Sequence, residues 1–194
     1  MMTITIISPE TFKTIPWKNG LGETTQLAIS EGGELANFDW RLSIASVTED
    51  GFFSDFSGYS RNLVLISGQG IRLEHDNYAE DQLDQLLDMA SFDGGCKTFG
   101  KLTAGAIKDF NIMTKTSAYQ AQVECYIDEQ CITLKANAQY FVYGLSQMTK
   151  LTLTNNKMKL PCGYLLAISK DNKEEVVIKG ANLIIIQLVR NALT

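Results

Sequence analysis

The amino-acid sequence predicts an all-β protein. Apolar and polar residues alternate with a period of two, turn-forming pairs recur at short intervals, and only one stretch spaces its apolar residues as a helix would. Thr3-Ile4-Thr5-Ile6, Trp40-Arg41-Leu42-Ser43-Ile44 and Leu151-Thr152-Leu153-Thr154 each place apolar side chains on one face of a strand. Between such segments lie Asn19-Gly20, Glu31-Gly32-Gly33, Asp50-Gly51, Ser67-Gly68, Asp93-Gly94-Gly95, Asn155-Asn156 and Lys179-Gly180. That spacing suits an antiparallel sandwich or barrel. The exception is residues 79–90, where Leu83, Leu86, Leu87 and Ala90 recur among acidic residues, and intrinsic propensity there predicts an amphipathic helix.

With 194 residues, 45% of them hydrophobic and 20% charged, the chain is long enough to bury a core as one large β domain or two small fused ones. No Pro-, Gly- or Ser-rich linker divides it. Its character changes after Thr116, however, because both tryptophans and most of the arginines and Gly-aromatic motifs come before that point. Function is expected in the earlier part.

A net charge of -5 opposes contact with phosphate backbones and anionic lipid, so neither nucleic acid nor a membrane surface is an expected partner. The start, Met1-Met2-Thr3-Ile4-Thr5-Ile6, has no basic stretch or cleavage site and reads as a first strand rather than a secretory signal. The apolar run 183–189 is interrupted by Gln187 and is far shorter than the roughly 20 residues that span a bilayer. Cys96, Cys125, Cys131 and Cys162 form no Cys-x-x-Cys pair, a pattern expected of reduced thiols in the cytoplasm. A two-residue turn at Asp128-Glu129 would pair Cys125 with Ile132 and leave Cys125 and Cys131 out of register for a disulfide.

The lone histidine, His75, cannot supply the two or three imidazoles that most catalytic zinc or iron sites need, so no metal or other cofactor is expected. Its place beside Asp76-Asn77 reads as an exposed loop. Gly68-Gln69-Gly70 lacks the third glycine and following helix of a nucleotide loop and reads as a hairpin turn, and no Gly-x-Ser-x-Gly elbow is present. No catalytic residue is assigned.

Arginine is scarce, at Arg41, Arg61, Arg72 and Arg190, and the first two lie in strand-like segments beside aromatic residues. If Trp40, Leu42 and Ile44 face one way, Arg41 and Ser43 face the other; in the same manner Asp109 and Asn111 oppose Phe110 and Ile112. An ordinary sheet points such pairs at water. In a barrel the inward face can be the polar one, with arginine offering a planar fork to a carboxylate. Periodicity leaves both arrangements open.

Several segments together resemble the HutD/Ves family: Trp17-Lys18-Asn19-Gly20-Leu21-Gly22-Glu23-Thr24, Phe38 through Ala45, Gly51 through Arg61, Ser91-Phe92-Asp93-Gly94, and Gly105 through Thr114. Five matches in one order over residues 17 to 114 make the resemblance specific. It implies a cupin-like double β-barrel in one chain, a bicupin of jelly-roll type, with a first barrel at 1–116 carrying the pocket and a second, mainly structural barrel at 117–194. It also implies that residues 79–90 are mostly a connection, against their helical propensity. The HutD branch is linked with histidine utilisation, as a regulator or sensor, and the Ves branch with stress and low temperature; no settled enzymatic activity comes with either. Family members commonly have arginine after the first threonine, where this chain has Thr25-Gln26, and paired arginines after the methionine, where it has Thr114-Lys115. It is therefore more similar to the Ves branch.

Carried onto this sequence, the resemblance implies ligand-binding roles for Trp17, Asn19, Arg41, Ser43, Arg61, Asp109 and Asn111, with Gly20 and Gly22 shaping the loop. The expected ligand is a small polar molecule bearing a carboxylate, held by Arg41 and Arg61, read by Asp109 and Asn111 and covered by Trp17. Two other functions are the alternatives: a metal-free cupin enzyme, of the isomerase or epimerase kind, although such enzymes generally rely on a histidine or tyrosine acid-base pair that these residues lack, and a protein-interaction module with a vestigial pocket. The oligomeric state, a homodimer included, is open at this stage.

Overall fold

The computed structural model describes residues 2–17, 20, 22–76, 78–135, 138–145, 148–153, 156–170 and 175–191. Asn19, Asn77, Thr154 and Asn155, which belong to the signals above, lie outside the described residues. The chain forms two compact units, Phe12–Gln120 with Arg190–Thr194, and Met1–Thr11 with Ala121–Val189.

The first unit holds two antiparallel sheets. The six-stranded sheet runs in the order β2 (Lys13–Pro16), β3 (Gly22–Ile29), β4 (Trp40–Val47), β11 (Ile107–Lys115), β6 (Tyr59–Ser67) and β9 (Met89–Asp93). The four-stranded sheet is β5 (Gly51–Phe52), β10 (Thr98–Leu102), β7 (Ile71–His75) and β8 (Glu80–Leu83). Between them lies an apolar core that includes Ala45, Val47, Leu63, Leu65, Ile71, Leu73 and Leu83.

The second unit also holds two sheets: β1 (Thr3–Ile7), β17 (Leu165–Lys170), β14 (Ala138–Gly144), β19 (Leu183–Arg190) and β12 (Tyr119–Tyr126), and then β13 (Gln130–Leu134), β18 (Val176–Gly180), β15 (Thr149–Leu153) and β16 (Asn156–Leu160). Its core is built from Tyr140, Val142, Leu151, Leu160, Leu166, Ile168, Ile178 and Ile185, among others. The fold is all-β with a cupin-like arrangement of strands. Each unit is two separate sheets, and none closes into a barrel among the described residues.

These units differ from the sequence-based limits 1–116 and 117–194. Strand β1 pairs with β17, setting Ile4 opposite Ile168 and Ile6 opposite Leu166, so the first strand contributes its apolar face to the second unit. Strands β12 and β13 lie in different sheets, so Cys125 never pairs with Ile132, and all four cysteines are free thiols. None of the described elements is a helix long and apolar enough to cross a membrane.

The helix that propensity predicts over 79–90 does not form. Leu83 pairs with Ile71 in one sheet and Ala90 with Leu63 in the other, so the segment is a strand, a turn and a second strand. At the turn Leu87 takes φ 71°, outside the helical region, and its amide donates to the Leu65 carbonyl at 2.8 Å. The Asp88 carboxylate accepts from the amides of Asp84 and Gln85, satisfying donors that a helix would have used. The four leucine and alanine positions mimic a helical stripe because strand spacing across a tight turn buries some of the same positions.

Candidate functional site

Residues opposite one another in neighbouring strands share a face. One row across the six-stranded sheet reads Ile15, Thr24, Ala45, Asp109 and Leu65; the next reads Gln26, Ser43, Asn111, Leu63 and Ala90; a third reads Arg41, Met113, Arg61 and Phe92. Polar side chains thus occupy the middle of a face whose edge, at Leu63, Leu65 and Ala90, belongs to the apolar core. Two irregularities in register border them, between Gln26 and Ala28 and between Lys108 and Asp109. Bulges of this kind re-aim side chains and are common beside functional sites.

Arg41, Ser43, Arg61, Asp109, Asn111 and Trp17 line one cavity of about 500 Å³. All but Trp17 are buried, Asp109 to 1% exposure. The opposite face of β11 is buried as well, with Phe110 and Ile112 at 0%, so alternation along this strand does not separate core from solvent.

The polar groups form a relay. Arg61 Nη2 donates to Asn111 Oδ1 at 2.7 Å, and Asn111 Nδ2 donates in turn to Asp109 Oδ1. Arg41 Nε donates to Gln26 Oε1 at 2.9 Å. Among the described residues, Arg61 Nε and Asp109 Oδ2 have no hydrogen-bond partner despite being buried. The Arg61 guanidinium also lies 5.0 Å from the ring centre of Phe53, 5.2 Å from that of Phe92 and 5.9 Å from that of Phe56, an aromatic cradle that holds a cation away from water.

Burial governs the ionisation here. It pushes the Asp109 carboxyl up to about 7 against the opposing attraction of Arg61. It lowers Arg61 to about 10, Asp109 resisting and Arg41 assisting, and it lowers Arg41 as well. Both guanidiniums stay charged at neutral pH while Asp109 is near its midpoint, so the cavity floor is net positive and complements an anion.

Trp17 and the glycines are arranged locally. The Trp17 amide donates to the Gly22 carbonyl at 2.9 Å, the Gly20 amide to the Trp17 carbonyl at 3.1 Å, and Trp17 Nε1 to Thr24 Oγ1 at 2.7 Å. Gly20 adopts φ 74°. A Cβ on Gly22 would stand 2.2 Å from the Ser46 carbonyl oxygen and 3.1 Å from the Trp17 ring, so only glycine lets the indole lie against this strand. Neither glycine lines the cavity itself.

Sequence reasoning missed Gln26, which orients Arg41, and Thr24, which anchors the indole. Gln26 stands directly across from the selected Ser43, whereas Thr24 stands across from Ile15 and Ala45, in the same row as the selected Asp109, and only strand register, which a single sequence does not display, brings them there. His75 corrects the exposed-loop expectation: it is 8% exposed, its Nδ1 lies 2.8 Å from Thr98 Oγ1, its Nε2 lies 3.1 Å from Asp81 Oδ2, and its ring lies 4.9 Å from Phe92. It extends the inward-facing series Ile71, Leu73, His75 of β7. Among the described residues, no group of three or more His, Cys, Asp or Glu is placed to hold a metal ion.

The model of the HutD family matches residues 9–186 of this chain. The chain belongs to the HutD family. A protein of the hutC 3′ region in Pseudomonas putida is 35% identical over 126 residues, covering 65% of this chain and 66% of the relative, just under two thirds of its length. Protein Ves of Escherichia fergusonii is 31% identical over 145 residues, 73% of this chain and 74% of that one. The structure of HutD from Pseudomonas fluorescens SBW25 (formate condition) superposes with a TM-score of 0.83 at 26% identity, covering 98% of this chain and all of the other. A conserved protein of unknown function from Pseudomonas aeruginosa PAO1 gives 0.85 at 26% identity over 96% and 98% of the two chains. A cupin 2 conserved barrel domain protein from Leptotrichia buccalis gives 0.54 at 10% identity over 92% and 96%, a likeness of fold alone.

Proposed function

We propose that this HutD-family chain is a metal-independent small-molecule-binding protein, and that its cavity takes a small polar ligand through a carboxylate. The observation that carries the reading is the pair of buried guanidiniums on one cavity floor, with Arg61 Nε left unengaged by the described residues. A buried donor without an acceptor costs about 1–3 kcal/mol, and a bound anion would recover it. The cavity volume falls within the range of about 300–1,000 Å³ usual for small-molecule sites. The role that fits is a cytoplasmic sensor or regulator, tied either to histidine utilisation or to stress, the two associations that the resemblance to the HutD and Ves branches implies.

Calorimetry on the purified protein with small mono- and dicarboxylates and histidine-pathway intermediates tests this. Stoichiometric binding by protein free of metal in elemental analysis is expected. Binding that requires an added or retained metal ion would overturn the metal-independent reading.

One observation favours a second reading. A buried carboxyl held at about 7 inside a cavity is suited to general acid-base work, so Asp109 makes a metal-free isomerase or epimerase the principal rival. In deuterium oxide such an enzyme would exchange a ligand C–H, followed by NMR, and Asp109→Asn would stop it; a binding protein leaves the ligand unlabelled. The interaction-module reading requires a filled or shallow first unit, and a cavity of about 500 Å³ weighs against it.

A further inference from the structure

Two features of the cavity remain unused by a bare carboxylate. The first is size: an ion as small as acetate displaces roughly two or three waters' worth of space, at about 30 Å³ each, and so fills only a small part of about 500 Å³. The second is the mouth. Among the described residues nine large apolar side chains are exposed, and three of them, Ile15, Leu35 and Phe52, at 57%, 58% and 62% exposure, line this one cavity. They come from separate segments: the edge strand β2, the tip of the turn closed by the Glu34–Asn37 bridge, and β5 of the facing sheet. Their convergence is therefore not the by-product of one apolar run. Trp17, Phe53 and Phe56 also line the cavity and offer apolar wall.

We propose that the ligand is amphipathic, with a carboxylate head on Arg61 and Asp109 and an apolar body that leaves the cavity between Ile15, Leu35 and Phe52. The inference rests on the carboxylate-site reading above and adds the ligand's class. The head supplies an acceptor for Arg61 Nε and, when Asp109 carries its proton, an acceptor for the hydroxyl on Asp109 Oδ2, the two buried atoms that the described residues leave unengaged. The body covers side chains that water otherwise meets, which favours binding in proportion to the apolar area removed. A short dicarboxylate can set its second charge toward Arg41 on the same floor, but it carries no apolar body to cover Ile15, Leu35 and Phe52. The site therefore prefers alkyl or aryl monocarboxylates to dicarboxylates of the same length.

The test is a calorimetric series on the full chain using acetate, butyrate, hexanoate, octanoate, 3-phenylpropionate and succinate. It is repeated with Phe52→Ser, Leu35→Ser and Arg61→Ala, each first matched to wild type by thermal unfolding. Affinity is expected to rise about fourfold per added methylene until the body reaches the mouth. Phe52→Ser and Leu35→Ser should weaken octanoate and 3-phenylpropionate by about 5- to 30-fold and leave acetate unchanged, whereas Arg61→Ala weakens every acid. If all acids bind alike and all depend on Arg61, the carboxylate site stands and the amphipathic proposal falls. If no acid binds folded wild type, both fall. If sedimentation shows a dimer that Phe52→Ser dissociates without changing octanoate affinity, the rim is a contact between copies and the proposal is overturned.

Discussion

In the second unit the central strand β14 turns Tyr140 and Val142 into the space between its sheets, where Leu166, Ile168, Ile178 and Ile185 close around them. In the first unit β11 turns Asp109, Asn111 and Met113 inward instead, and a cavity remains. Each arrangement has a distinct energetic consequence. Close-packed aliphatic side chains gain from burial without any polar partner, while buried charges lose solvation that their mutual attraction only partly offsets. One unit therefore concentrates stability, and the other holds desolvated polar groups ready for something that is not part of the chain.

The comparison breaks most visibly if the second unit is given the first unit's pattern. Val142→Asp places a carboxyl among aliphatic side chains with no guanidinium or amide near it in the described core. An unpaired charge there costs several kcal/mol, against a total stability of about 5–15 kcal/mol for a typical domain. We expect loss of soluble, cooperatively melting protein, whereas Val142→Ala loses only about 2 kcal/mol. A folded Val142→Asp with an unchanged melting temperature would show that the second interior is as tolerant of charge as the first.

The sequence is legible where pattern and environment coincide. Alternation located β1, β4 and β15, and the spacing of Arg41 with Ser43 and of Asp109 with Asn111 correctly placed each pair on one face. It could not say which face is inside, because both faces of β11 are buried and alternation then reports chemistry rather than solvent. The case of His75 is different: the series Ile71, Leu73, His75 was readable, and the adjacent turn signal masked it although the strand runs through the histidine. Residues 79–90 failed for a third reason, since Leu83 and Ala90 serve two different sheets and a window along the chain merges them into one stripe.

A smaller effect separates burial from charge at Asp109. Because its carboxyl is raised to about 7 in the folded chain, the native state keeps a proton that the unfolded chain loses near its ordinary value of 3.8. The associated stability is fully present below about pH 4 and is lost as pH rises through about 7. At about 1.4 kcal/mol per decade the whole effect is on the order of 4 kcal/mol. Asp109→Asn cannot ionise, so its stability relative to wild type should climb by up to that amount between pH 4 and pH 8 in urea unfolding. A difference that stays flat would mean that Arg61 keeps the carboxylate ionised throughout, and that attraction rather than burial governs this floor.

The smallest effect is on binding, and it asks whether the first unit's buried cation serves a ligand or only fills space. Arg61 already spends Nη2 on Asn111 and its faces on Phe53, Phe56 and Phe92, which a packing role would explain, but its Nε has no partner among the described residues. Arg61→Ala should weaken carboxylate binding by about 1.5–3 kcal/mol, the usual value of a charge-assisted hydrogen bond, or about 10- to 150-fold in Kd. Arg61→Lys retains a charge but not the planar fork, so it cannot reach Asn111 and a ligand together in the same geometry, and it should restore only part of the loss. Titrations by calorimetry at pH 6, where Asp109 is mostly protonated and repels an anion least, give the cleanest comparison. Unchanged affinity in Arg61→Ala, with wild-type melting behaviour, would make the guanidinium a packing element like the leucines of the second unit, and the contrast between the two interiors would then concern filling rather than function.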